Sequence, residues 1–110
     1  MNRAWAILEP YLGDAYVGSW AGCEYLIDSG LPPVDVLSVQ TCVCVTAAAF
    51  IGATAAGIDP LRFARAHWDS HWGLDDDNPD EYDLGQAAWA HAIEIGMEAV
   101  ERKKAAGGPG

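Results

Sequence analysis

An uncharged run of 23 residues, Val36 to Ile58, constrains this sequence more than any other feature. It takes up the middle of a chain of 110 residues, and the nearest preceding charge is Asp35. Such a run is typical of a helix buried in protein or of a segment buried in lipid. The architecture therefore depends on what surrounds these residues.

Helical periodicity predicts a central helix over residues 34–58. Wound at about 100° per residue, the run places bulky side chains on one side, namely Val36, Val39, Val43, Ala47, Phe50, Ile51 and Ile58. Mostly small side chains fall on the other side, namely Ser38, Thr41, Val45, Ala49, Gly52 and Ala56. The small side predicts the close approach of another backbone. Because β-branched residues are frequent at its start, a short strand within 34–45 is the alternative.

The same run is long enough to cross a bilayer, which takes about 20 apolar residues. Arg62 and Arg65 follow it, as they would follow a membrane span on its cytoplasmic side. However, much of its apolar content is alanine and glycine, which gain little from lipid, and five polar side chains interrupt it. We therefore predict a helix enclosed by protein, and no membrane partner.

The segments on either side of the central run are also predicted to be helical. Residues 3–12 form a short helix that Pro10 kinks or stops early, and a second helix runs from Asp14 or Ala15 to about Asp28. Asp59 and Pro60 are typical of an N-cap and first helical residue, so a fourth helix should run to His71 or Trp72. Its buried stripe should consist of Leu61, Ala64, Trp68 and Trp72.

An acidic loop is predicted over 74–82, where Pro79 should prevent a helix. The last helix should then open at Asp83, with Gln86 completing a capping box. Its apolar face should consist of Trp89, Ile93, Gly96, Met97 and Val100. The expected fold is all-α, a compact bundle of about five helices around the central one. We assign residues 1–104 to a single domain and 105–110 to a flexible tail.

The net charge of the chain limits the classes of partner, and its cysteine content indicates the cellular setting. The formal net charge is −10, which disfavours direct binding of nucleic acid and suits either a soluble surface or a basic partner. The three cysteines are Cys23, Cys42 and Cys44, and no apolar signal run follows Met1. We therefore expect a reducing, cytoplasmic setting. The Ala-rich, Lys-poor composition is typical of a high-GC genome, such as an actinobacterial or phage one.

Residues able to bind a metal are few. His67 and His71 lie four apart on a predicted helix, so both imidazoles share a face, and zinc is the metal that such a pair would bind. His91 could supply a third ligand. No cofactor is otherwise predicted, and no catalytic residues are assigned, because no nucleophile or phosphate-binding motif occurs.

Aromatic residues are abundant for this length, with five Trp and four Tyr. Because aromatic side chains concentrate binding energy at interfaces, we predict a protein–protein interaction or assembly module, such as an adaptor, inhibitor or structural component, that binds a protein partner or itself. The interface candidates are Trp5, Trp20, Trp68, Trp72, Trp89, Tyr82, Asp75, Asp76 and Asp77. The alternatives are an acidic binder of a basic target or nucleic-acid mimic, and a metal-dependent enzyme or sensor.

Overall fold

The computed structural model describes residues 3–15, 33–71 and 79–107. Four helices occupy these ranges: α1 (Arg3–Leu8), α2 (Pro33–Ala56), α3 (Pro60–His71) and α4 (Pro79–Gly107). A 3-10 turn, Glu9–Tyr11, follows α1, and residues 12–15 are helical. These ranges contain no strand, which confirms the all-α prediction. The second predicted helix lies mostly within 16–32, outside the described residues.

Helix α2 is the centre of the bundle and contacts α1, the 3-10 turn, α3 and α4. Every residue from Thr46 to Ala53 is buried. Eight consecutive residues make more than two turns of about 3.6 residues each, so this part of α2 is enclosed on all sides. The enclosed central helix is therefore confirmed. The alternative of a strand within 34–45 is wrong, because these residues are helical from Pro33 onward.

The end of α2 differs from the prediction by two residues. Gly57 adopts a positive φ of 76°, which breaks the helix after Ala56. The Gly57 N–H donates to the Thr54 carbonyl at 3.2 Å and the Ile58 N–H to the Ala53 carbonyl at 2.9 Å. This pair of bonds is the Schellman arrangement, which satisfies carbonyls that would otherwise lack partners at a helix end. Ile58 therefore lies in the turn rather than in α2.

The start of α3 follows the predicted capping pattern. The Arg62 backbone N–H donates to the Asp59 carboxylate at 3.3 Å, and Pro60 is the first helical residue, where its missing N–H costs nothing. The break near Pro10 is also confirmed, because α1 ends at Leu8 and the backbone tightens into the 3-10 turn.

Helix α4 is longer than predicted at both ends. It begins at Pro79, so residues 79–82 are helical, and Asp83 is an interior residue rather than an N-cap. Proline is well suited to the first turn of a helix, and acidic residues next to it favour the helix dipole. At the other end α4 includes residues 105–107 of the segment predicted as a tail, since alanine continues a helix readily. Residues 108–110 lie outside the described part.

Gly52 in α2 allows α1 to approach closely. A Cβ atom at this position would overlap the carbonyl oxygen of Ile7 in α1 and lie 2.9 Å from its carbonyl carbon. The obstacle is backbone, which cannot rotate away as a side chain can. The prediction that the small side of the central helix meets another backbone is therefore confirmed at Gly52.

One described helix, over Val36–Ala56, is long and apolar enough to cross a bilayer. Core helices of water-soluble proteins satisfy the same two criteria. Of the most apolar stretch of this helix, 56% is buried inside the structure. Length and composition therefore assign no membrane location to α2.

We predict that Gly52→Ala destabilises the fold by about 1–3 kcal/mol, because α1 must move away from α2. The measurement is the free energy of unfolding from urea titration followed by circular dichroism. Gly13→Ala is the matched control: residue 13 is helical and its Cβ would meet nothing within 4 Å. This variant should gain up to about 1 kcal/mol from helix propensity. Equal effects at the two positions would contradict the close approach.

Candidate functional site

Two tryptophans join α3 to α4. Trp68 of α3 is buried, and its ring lies 5.7 Å from that of Trp89 of α4 in an edge-to-face arrangement with an interplanar angle of 66°. The Arg65 guanidinium lies 5.0 Å from the centre of the Trp89 ring and pairs with Asp69 at 3.1 Å. Cation–π and edge-to-face contacts both stabilise such clusters. Trp89 is therefore fixed on two sides.

An open groove of about 780 Å³ runs beside this cluster, and we call it the α3–α4 groove. Its apolar lining comes from Leu61 of α3 and from Trp89, Ala90, Ile93 and Met97 of α4. Leu61 and Met97 are 53% and 55% exposed, so this apolar surface faces solvent. Its polar lining consists of Glu94, Glu98, Glu101 and Arg102.

The groove exists because α4 uses small residues to pack against α2. Its buried positions are Gly85, Ala88, Ala92, Ile95, Gly96 and Ala99. The apolar face predicted from the sequence included Met97, which is instead exposed, and Ile93, which is half-buried. A face of alanine and glycine fits closely against another helix, and the larger side chains on the adjacent side of α4 are left at the edge.

Gly96 shows how close this packing is. A Cβ atom there would lie 2.8–2.9 Å from side-chain atoms of Phe50 in α2. The Phe50 ring therefore occupies the space that any larger residue would need. Phe50 itself is only 7% exposed, so it has little room to move.

The structure places the predicted interface residues in different environments. Trp5 is 43% exposed on α1, Trp89 is half-buried at the groove, and Trp68 is 3% exposed and belongs to the core, where it presents little surface to a partner. Tyr82 is in α4, but its side chain lies outside the described residues. The remaining candidates also lie outside them, namely Trp20, Trp72, Asp75, Asp76 and Asp77.

The histidines remain a prediction for metal binding. His67 and His91 are half-buried on α3 and α4, and His71 ends α3 with its side chain outside the described residues. In the described ranges, no three His, Cys, Asp or Glu side chains are grouped so that they could hold a metal ion. Among the described side chains, His67 and His91 therefore do not come together with a further ligand.

Cys42 and Cys44 point in different directions from α2, as expected for residues two apart on a helix. The Cys44 thiol donates to the Leu12 carbonyl at 3.7 Å. Burial raises the pKa of Cys42 from 9.0 to about 11, against a smaller lowering by contact with the Thr46 hydroxyl. That hydroxyl is fully buried and has no nitrogen or oxygen partner within the described part of the chain. The Cys42 thiol is therefore protonated and unreactive at neutral pH.

A second cavity, of about 600 Å³, lies between α2, the 3-10 turn and the end of α4. Lys103 beside it pairs with Asp14 at 2.9 Å and lies 5.3 Å from the Tyr11 ring centre. These contacts connect the end of α4 to the N-terminal segment. They already engage the charge of Lys103, which favours a structural role for this region.

Comparison of this chain with known proteins gives no relative from which to transfer a role. No protein-family model, no curated protein and no solved structure matches it. The assignment of a function therefore depends on the geometry alone.

Sequence reasoning identified Trp89 but missed the rest of the groove. Leu61 was assigned to a buried stripe of its helix, and Met97 to the apolar face of the last helix, whereas both are more than half exposed. The available signal was the second apolar stripe of α4, at Trp89, Ile93 and Met97, beside a face made of alanine and glycine apart from Ile95. One helix needs only one of these faces to pack against α2.

We predict that the stability of the protein falls as the pH rises from about 9 to about 11, and that Cys42 contributes to this loss. Between these values the folded state retains a proton on Cys42 that the unfolded state, with its ordinary pKa of 9.0, has released. Rising pH therefore favours unfolding. Urea titrations at pH 8 and pH 10.5 should show a smaller loss for Cys42→Ala than for the wild type. An equal loss in both proteins would contradict burial of this thiol.

Proposed function

We propose that this chain is a protein–protein interaction module that binds its partner through the α3–α4 groove. The observation that carries this proposal is the apolar stripe of Leu61, Trp89, Ile93 and Met97, in which Leu61 and Met97 are more than half exposed and Trp89 and Ile93 are half-buried. Contiguous exposed apolar surface bounded by charged residues is typical of interaction sites in folded proteins. A single exposed leucine would carry no such argument.

The composition of the groove supports this role. Tryptophan, methionine and arginine are enriched at protein interfaces, and all three line or border this one. Trp89 is held by Trp68 and Arg65, so little side-chain entropy is lost when a partner packs on it. A fixed aromatic ring with one free side is the kind of anchor that dominates binding energy.

A different protein fits this surface better than a second copy of the chain. Each chain carries a net charge of −10, and the groove has three glutamates along its length. Two such faces brought together would repel each other. The metal-dependent and nucleic-acid-mimic alternatives receive no added support, because the side chain of His71 and the acids Asp75–Asp77 lie outside the described residues.

We predict that a photo-crosslinking amino acid at Met97 captures a discrete partner protein in the cells that make this chain. Met97 is at the exposed floor of the groove, so its side chain should touch whatever binds there. Leu37 is the matched control position, because it is similarly exposed, at 57%, but lies on α2 away from the groove lining. Mass spectrometry would identify the adducts.

The expected result is one dominant adduct with a different protein from position 97 and none of the same mass from position 37. An adduct between two copies of the chain would support an interaction module that self-associates and would contradict a different protein as its partner. Identical adduct patterns from both positions, or none from position 97, would contradict the proposed role of the groove.

A further inference from the structure

We infer that the occupant of the α3–α4 groove is a basic amphipathic helix of about three to four turns, presented by the partner protein. This inference depends on the proposed function, because it specifies the partner of the same surface. Three observations lead to it: the length of the apolar stripe, the row of carboxylates beside it, and the helical walls of the groove.

The apolar stripe has the length of a short helix. Trp89, Ile93 and Met97 are spaced by four residues, so they lie along one side of α4 in successive turns. At about 1.5 Å per residue, the lining from Trp89 to Glu101 extends about 18 Å along α4. A helix of about 12–14 residues covers this distance. Its apolar side chains, one per turn, would pack between Leu61 and Met97.

A row of carboxylates follows the same course. Glu94, Glu98 and Glu101 are separated by four and three residues, so they lie in successive turns of α4 along the groove, and all three are exposed. Arg102 lies at one end, where Lys104 pairs with Glu101 at 3.8 Å, and the charge of Arg65 is engaged by Asp69 and Trp89. The excess negative charge of the rim is therefore that of Glu94 and Glu98, and it favours lysine or arginine on the partner and disfavours acidic segments.

The walls of the groove favour a helical occupant. Both walls are α-helices, whose backbone N–H and C=O groups bond within their own helix except near the ends. An extended peptide would find no strand edge here with which to pair. A helix satisfies its own backbone and brings only side chains to the surface, which is the helix-in-groove mode of recognition.

A small apolar ligand fits this surface less well. Ligand-binding clefts cover most of the ligand surface, whereas Leu61 and Met97 lie more than half exposed in an open groove. The row of glutamates would also find no partner in such a ligand. The combined apolar and acidic character therefore favours an amphipathic protein segment.

The test uses a synthetic peptide of about 14 residues, built from leucine, alanine and lysine with the leucines on one helical face. One comparison peptide has the same composition in scrambled order, and another has glutamate in place of lysine. Binding to the full chain is measured by anisotropy of the labelled peptides, and the site is mapped by NMR shifts of backbone amides. We expect saturable one-to-one binding of the amphipathic basic peptide, with shifts concentrated in residues 89–101.

Two protein variants separate groove recognition from general attraction to an acidic protein. Glu94→Gln with Glu98→Gln removes two charges from the groove, whereas Glu9→Gln with Asp83→Asn removes two exposed charges elsewhere. Both variants change the net charge from −10 to −8. The groove variant should weaken binding of the basic peptide about fivefold and the control variant less than twofold.

Equal weakening by both variants, or equal binding of the scrambled or glutamate peptide, would overturn the basic helix as the occupant. The proposed function would still stand if Met97 crosslinked to a different protein, and the crosslinked segment would then show what binds. A crosslinked segment that is neither basic nor helical would overturn the inference directly. The loss of Met97 adducts would instead defeat the interaction role itself.

Discussion

Close packing at small residues sets the distance from α2 to α1 and from α2 to α4. Gly52 admits the backbone of α1, and Gly96 admits the Phe50 ring at the contact between α2 and α4. Alanine buries little area, so each position contributes little through the hydrophobic effect. The close approach compensates through the many dispersion contacts that near backbones make. The geometry therefore depends on the absence of side-chain atoms at a few positions.

This packing explains where the large apolar residues lie. Since α4 contacts α2 through glycine and alanine, the neighbouring stripe of Trp89, Ile93 and Met97 is not needed in the core. Trp89 is half-buried, because Trp68 and Arg65 contact it across the space between α3 and α4. Ile93 is also half-buried, and Met97 remains exposed. The same arrangement that makes the core compact thus leaves an apolar groove on its surface.

The charge of the side chains changes along α4. Its middle carries the glutamates of the groove, whereas Lys103 near its end pairs with Asp14 and lies over Tyr11. The basic end of the helix, favourable for its dipole, is used to hold the N-terminal segment. In the acidic middle, Glu94 and Glu98 form no ion pair with any residue of the described ranges. Charge that stabilises the fold and charge that lines the groove therefore occupy different turns of one helix.

Local sequence signals determined much of the fold. The apolar run predicted an enclosed α2. Asp59 and Pro60 defined the start of α3, and Pro10 interrupted the first helix, because capping and proline geometry act over a few residues. These signals gave wrong helix boundaries where one residue type is compatible with two different backbone structures. Pro79 can exclude a helix or begin one, and Gly57 can lie within a helix or end it with positive φ.

Only the tertiary structure decided which apolar face of α4 is buried and which lines the groove at the surface. Both faces have helical spacing, so the sequence allowed either to pack against α2. Which face is buried depends on how closely the backbones of α2 and α4 can approach. That distance is set by the residues of both helices and cannot be read from the sequence of one helix. The sequence therefore supplied the candidates Trp68 and Trp89, and the packing placed the first in the core and the second at the groove.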